Sequence, residues 1–313
     1  MENNASEVTL KDFANSFGTT VDDLSEDCRQ LAKKYNFRYR ELDKDERDQV
    51  ILEVLKRIDS KELSIVGAHR KGRWDDGWSE NLKNFIEKKY DLKELIPKYI
   101  HPNQPVRLNG DYVMPEDPEF EYNFFQVYRL WLFRKYLKDF DSIVEFGSGT
   151  GHNLVVLSQL YPEKKLYGSD WVPPSVELLN KIKEVYGYNI TAKLFDLFNP
   201  DESFQIPENS AVITMGTMEQ LGVNYEKFLD FILKKSPRIC LQSEPICELY
   251  DDKNLLDYVF IKYHQRRGYL SGYLTRLKQL EAEGKIEIIK IQRVFLGNLV
   301  QEGYSIIVWK PKI

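Results

Sequence analysis

The chain has 313 residues, and its 44 Lys+Arg against 49 Asp+Glu leave a formal net charge of −5. So even a balance supplies no general field for a phosphate backbone, which argues against a nonspecific nucleic-acid binder. Hydrophobic residues at 42%, with 19 Tyr, 17 Phe and 5 Trp, exclude a disordered chain and supply a packed core.

Cys28, Cys240 and Cys247 form neither an even set nor a CxxC pair, so no disulfide framework or thiolate zinc site is expected. The first ten residues lack the basic start and apolar run of a signal peptide, and no stretch approaches the ~18 apolar residues of a membrane span. A cytoplasmic protein without membrane or nucleic-acid partners is expected; the oligomeric state is not legible.

Residues 8–98 space their apolar side chains three or four apart among charges, which predicts helices over 8–14, 21–35, 45–58 and 78–89. Between them, residues 67–78 are dense in Gly, Arg and Trp and read as a loop. Residues 101–118 contain Pro102, Pro105, Pro115 and Pro118 and read as a connector. This organisation predicts a helical domain over residues 1–119.

From residue 120 the pattern changes. Residues 122–140 read as one aromatic helix, followed by strands at 142–146, 165–169, 191–195, 211–215 and 238–242 with helices at 152–160, 174–186 and 225–235. The link between the third and fourth strands is short. A helical region over about 254–284 then leads to two strands joined by a turn at 297–303, too close together for a crossover helix and therefore antiparallel. The expected class is α/β: a Rossmann-like, doubly wound seven-stranded sheet over residues 120–313 ending in a reversed hairpin.

The sharpest local signal is the strand running into Glu145-Phe146-Gly147-Ser148-Gly149-Thr150-Gly151 and then into the helix starting at His152. Glycines serve positive φ angles and close approach of backbone to a ligand, and such a turn lies where open sheets form nucleotide crevices. The second strand ends at Asp170-Trp171, where a carboxylate can accept ribose hydroxyls, and the third at Asp196-Leu197, one strand further out and within reach of an adenine amino group. Each acid has a plainer reading, Asp170 as a helix cap and Asp196 as the start of the Asn199-Pro200 turn.

With the strand end Thr214-Met215-Gly216-Thr217-Met218-Glu219 and the terminal hairpin, these residues resemble the class I S-adenosylmethionine-dependent methyltransferases over residues 120–313. The resemblance implies S-adenosylmethionine as cofactor. Its methionine part would lie against the backbone of Gly147, Ser148, Gly149, Thr150 and Gly151, its ribose on Asp170 beside Trp171, and its adenine between Asp196 and Leu197. Glu145 would order the loop or meet the cofactor's amino group, with Gly216 and Thr217 closing the site. The short segment after the third strand departs from the family pattern and leaves the outer wall of the adenine pocket undefined. A nicotinamide or flavin dehydrogenase is the rival; it accounts for neither Glu145, nor Asp196, nor the reversed strands.

Methyl transfer from a sulfonium is an in-line displacement, and a hydroxyl acceptor needs a base. The candidates beside the fourth and fifth strand ends and the glycine loop are Glu219, Glu244, His152 and His264. Glu219, Glu244 and Glu248 around a hard cation would be a metal-assisted variant, but their spacing diagnoses no metal site. Arg70, Arg73 and Trp74 in one basic-aromatic cluster, and Tyr263, Arg266 and Arg267 in another, suit recognition of a small-molecule acceptor. A looser resemblance to bacterial putative sugar O-methyltransferases implies a sugar, sugar phosphate or surface-glycan precursor. An N-methyltransferase, a protein or RNA methyltransferase, and a non-catalytic cofactor-binding subunit are the alternatives.

Overall fold

The computed structural model describes residues 5–97 and 102–312. Lys98, at the end of the helical run, His101, at the start of the expected connector, and the first four residues of the N-terminus lie outside these. In chain order the first half contains β1 (Ser6–Glu7), α1 (Leu10–Phe17), α2 (Glu26–Lys34), β2 (Arg38–Glu41), α3 (Lys44–Asp59), α4 (Lys71–Glu87), β3 (Val106–Leu108), β4 (Asp111–Pro115) and α5 (Phe120–Tyr136). There follow β5 (Ser142–Phe146), α6 (His152–Leu160), β6 (Lys165–Asp170), α7 (Pro173–Tyr186), β7 (Ile190–Leu194), β8 (Ser210–Met215), α8 (Glu226–Lys235) and β9 (Ile239–Glu244). The chain finishes with α9 (Leu255–Arg267), α10 (Tyr273–Ala282), β10 (Ile286–Gln292), β11 (Leu296–Gly297) and β12 (Ser305–Pro311).

Local chemistry sets several boundaries. Capping boxes start α1 at Thr9/Asp12 and α3 at Asp43/Glu46, where each side chain takes up one of the free amides of the first turn. Pro173 opens α7, where a missing N–H costs nothing, and Gly187 closes it in the left-handed conformation.

The seven expected strands make one sheet in the order β10-β12-β9-β8-β5-β6-β7. β5 pairs in parallel with both β6 and β8, while β12 runs antiparallel to both β9 and β10. Successive strand residues alternate between two cores: Ile143, Ile213 and Leu241 face one, Val144, Val212 and Cys240 the other. The first core is continued by α5 and the N-terminal aromatics, with Phe17 stacked on Trp131 at 4.8 Å between ring centroids. Both rings are buried, and truncating one such ring to Ala costs about 3–5 kcal/mol.

Four expectations change. Residues 67–78 are not a loop: after a short 3-10 turn at Ala68–Arg70 they form the first half of α4. The proline-rich segment contains the β3–β4 pair, and the first half of the chain carries a second sheet, β1-β2-β4-β3-β11. The chain between β10 and β12 is more than a turn, since β11 leaves the large sheet and pairs antiparallel with β3. The helical region after β9 is two helices, parted at Gly268, which sits at φ +64°.

Candidate active site

β5 is buried at every position and leads directly into the glycine turn. Gly147, Gly149 and Gly151 hold φ of +72°, +51° and +77°, where a side chain is strained. A Cβ on Gly147 would fall 2.1 Å from Thr217 Cγ2. Four of the loop's amides are bonded within the protein. Those of Gly147 and Ser148 donate to the Ser169 carbonyl at 2.8 and 2.9 Å, and that of Gly151 to the Ser148 carbonyl at 2.8 Å. The Gly149 amide donates to Asp170 Oδ2 at 2.9 Å. A pyrophosphate nest needs such amides directed at the ligand, so this bonding disfavours a dinucleotide.

Asp170 is 4% exposed and lines a cavity of about 800 Å³ at the carboxyl ends of the parallel strands. Burial raises its pKa to about 6, against the pull of amide hydrogen bonds from Gly149, Val172 and Trp171. Next to it Trp171 and Phe198, with ring centroids 5.6 Å apart, line the cavity together with Leu197. Phe198 fills the wall that the sequence left undefined. Asp196 does not face the cavity: its carboxylate accepts the Phe198 amide at 2.9 Å and Asn199 Nδ2 at 3.2 Å, the turn-forming alternative. Ser148, Thr150, Gly216 and Thr217 line the cavity, whereas Gly151 and Glu145 lie behind it. Glu145 accepts Asn153 Nδ2 at 2.8 Å, and burial raises it to about 8.

The four base candidates separate. Glu219 lines the cavity, accepting Gln220 Nε2 at 2.8 Å and Gln301 Nε2 at 3.3 Å, and burial raises its pKa. Glu244, expected at the reaction centre, is instead a buried support: Oε1 accepts the Thr217 amide at 3.1 Å, and burial raises it to about 8. His152 lines the cavity but is committed elsewhere. Arg129 Nη1 donates to Nδ1 at 2.9 Å, which leaves the proton on Nε2, 3.1 Å from the Tyr122 hydroxyl. Burial, then the Arg129 charge, depress its pKa to about 2, so neither nitrogen serves as a base. His264 is 2% exposed between the Tyr250 and Tyr269 rings, does not line the cavity and is lowered to about 3 by burial. It is a core residue.

Most of the residues expected on the acceptor side lie together. Arg70, Arg73 and Trp74 from the start of α4, and Tyr263 and Arg267 from α9, meet on the cavity wall that also carries Glu219. Arg266 does not join them; its Nη2 donates to the Ser60 carbonyl at 3.1 Å. Trp78, which ends the same basic-aromatic cluster as Arg70 and Trp74, also lines the cavity, as does Glu121, which was not foreseen. Trp78 was legible: Arg70, Trp74, Trp78, Asn81 and Phe85 recur every three or four residues, one face of a helix.

No family model matches the chain, and no curated protein matches it. Solved structures do. The [4+2]-cyclase SpnF is 11% identical, with 80% of this chain and 98% of that one aligned at a TM-score of 0.51. A geranyl diphosphate methyltransferase solved with GPP and sinefungin is 9% identical over 79% of this chain and 100% of that one, at a TM-score of 0.48. A SAM-dependent methyltransferase from Aquifex aeolicus is 18% identical over 57% and 89%, at a TM-score of 0.40. At 11% identity the likeness to SpnF is one of fold alone: the two chains share an α/β architecture.

Proposed function

We propose that the protein is an S-adenosylmethionine-dependent methyltransferase that acts on a hydroxyl of a small molecule, with a sugar or sugar derivative as acceptor. The observation that carries this reading is the arrangement around Asp170. A glycine loop with four amides bonded within the protein, a buried carboxylate and the Trp171–Phe198–Leu197 wall line one cavity, which continues to Glu219. A carboxylate beside a flat apolar wall suits a nucleoside: hydroxyls on the acid and a purine against the rings.

The bound cofactor would supply an electrophilic methyl group on sulfur. The chain's own residues do the rest. Asp170 accepts hydrogen bonds from the ribose hydroxyls and keeps Gly149 in place. Trp171, Leu197 and Phe198 exclude water from the base. Thr217, held by Glu244 through its amide and by the Gly147 carbonyl through its hydroxyl at 3.2 Å, fixes the loop where the two strand ends meet. Glu219 is the group placed to take the acceptor's proton. Its burial favours the neutral form and so raises its proton affinity, as a base working near neutral pH requires. Trp74 and Tyr263 present rings suited to a sugar face.

Titration calorimetry with S-adenosylhomocysteine and with NAD tests the cofactor half of the reading. Binding of the first and not the second is expected; the reverse overturns it. Because SpnF is named as a cyclase, binding alone does not establish transfer. Methyl transfer to a sugar panel, read by mass spectrometry, tests the acceptor half, and cofactor binding without any product would leave a non-catalytic or non-transferring protein.

A further inference from the structure

We propose that the cavity wall formed by Arg70, Arg267 and Arg73 is a phosphoryl-binding subsite, so that the acceptor of the reaction proposed above is a phosphorylated small molecule.

Arg70 and Arg267 are 8% and 6% exposed, yet both line the cavity. Their partners are neutral. Arg70 Nη1 donates to Gln220 Oε1 at 2.8 Å, and its guanidinium lies 5.7 Å from the centre of the Trp74 ring. Arg267 Nη1 donates to the carbonyl oxygen of Ser64 and, at 3.1 Å, to Ser64 Oγ, while Nη2 reaches the Tyr269 hydroxyl at 3.4 Å. The Nε of each is buried without a hydrogen-bond partner. Among the described residues neither guanidinium is ion-paired.

A buried guanidinium is ordinarily matched by a carboxylate because desolvation of an unpaired charge is costly. Here two share one wall: burial first, then the charges of Arg267 and Arg73, lower the pKa of Arg70, against the smaller opposing pull of Tyr269 and Glu219. Gln220 prevents the simplest remedy. Its carboxamide oxygen accepts from Arg70 while its amide nitrogen donates to Glu219, so one neutral side chain stands between the arginine and the nearby acid. The arrangement keeps the donors available and the base free of an ion pair.

Charge balance selects the ligand. Arg70, Arg267 and Arg73 share this wall with Glu219, whose burial favours its neutral form, so the wall is cationic and a phosphate monoester dianion offsets more of its charge than a single carboxylate does. Both Arg70 and Arg267 line the cavity, and a planar guanidinium presents the donor pattern that phosphate oxygens accept. Arg73 is exposed, which places it at the cavity's rim.

The full chain is titrated with inorganic phosphate, pyrophosphate and acetate, and separately with S-adenosylhomocysteine, as wild type and as Arg70→Gln, Arg267→Gln and Arg73→Gln. Phosphate or pyrophosphate should bind at least tenfold more tightly than acetate. Arg70→Gln and Arg267→Gln should each weaken that binding tenfold or more and leave S-adenosylhomocysteine affinity within twofold. Should the buried substitutions unfold the protein, exposed Arg73→Gln carries the test, with an expected loss of about threefold in phosphate affinity. Phosphate binding no tighter than acetate, or unchanged in every folded variant, overturns the subsite. Retained phosphate binding without S-adenosylhomocysteine binding overturns the methyltransferase reading and leaves the subsite standing.

Discussion

The Gly149 amide and the Asp170 carboxylate are joined by a 2.9 Å hydrogen bond, so the loop and the acid that line the cavity are mechanically one unit. Asp170→Ala should therefore do two things: remove an acceptor for ribose hydroxyls and release the loop. Hydrogen bonds to a charged group contribute about 1.5–3 kcal/mol each, so S-adenosylhomocysteine affinity should fall by about a hundredfold or more in calorimetry. Asp170→Asn retains an oxygen for Gly149 and should lose less. Equal losses would mean that the acid, not the loop contact that Asn keeps, governs binding.

Glu219→Gln should reduce kcat by about a hundredfold, the usual contribution of a general base, while S-adenosylhomocysteine affinity and KM for the acceptor change little. A variant with normal kcat would remove Glu219 from the reaction.

His152 is predicted to remain neutral across the accessible pH range, with its proton on Nε2. Nitrogen-15 chemical shifts should show an acceptor-type Nδ1 and no titration between pH 5 and 8. A titrating resonance near the ordinary histidine value would show that the Arg129 contact does not persist in solution.

Four buried carboxyl groups give the protein an unusual dependence on pH. Burial raises Asp170 to about 6, Glu121 to about 7, and Glu145 and Glu244 to about 8. The stability they contribute is complete below the unfolded values of 3.8 and 4.5 and is lost as pH rises through 6 to 8. His152 and His264 act oppositely: their contribution is complete above 6.5 and is lost as pH falls toward 3 and 2. Above pH 6.5 only the carboxyl effect remains, so Tm should decline between pH 6.5 and 8.5. Each tenfold change in proton affinity is about 1.4 kcal/mol. Glu145→Gln, which can still accept from Asn153, should raise Tm at pH 8.5 relative to wild type and not at pH 5. Parallel Tm profiles for the two proteins would contradict this.

A buried ionic network should be the chain's most sensitive polar feature. Arg293 Nη2 lies 2.6 Å from Asp257 Oδ1 and its Nε 2.6 Å from Glu302, while Arg107 contacts both acids. Asp257→Ala leaves two guanidiniums without that partner and should cost about 3–5 kcal/mol, read as a fall in the denaturant midpoint. A loss below about 1 kcal/mol would show the network to be solvated.

The strands and the glycine turn were legible because their signals are local: buried apolar runs, then glycine, then an acid at each strand end. The small sheet was not. β1 and β11 are two residues each, β2 is Arg38-Tyr39-Arg40-Glu41, and nothing in such segments announces a partner far away in the chain. α4 was missed for a different reason. Gly72 and Gly77 suggested a loop, but a Cβ at either would meet nothing within 4 Å, so they are tolerated in the helix rather than required to break it. Asp196 and His264 show the remaining limit: the sequence places a titratable residue near a strand end or in a helix, but only packing decides which way its polar atoms face.

The pairing of Leu296–Gly297 with β3 has a practical outcome for anyone re-engineering this scaffold. Two residues donated from the carboxyl-terminal half complete the sheet of the amino-terminal half. Grafting a foreign front end would strand that short edge, and expressing the back half alone would leave it dangling. Altering what the cavity accepts is therefore better attempted by point changes along the Arg70–Trp74–Trp78 face than by swapping modules.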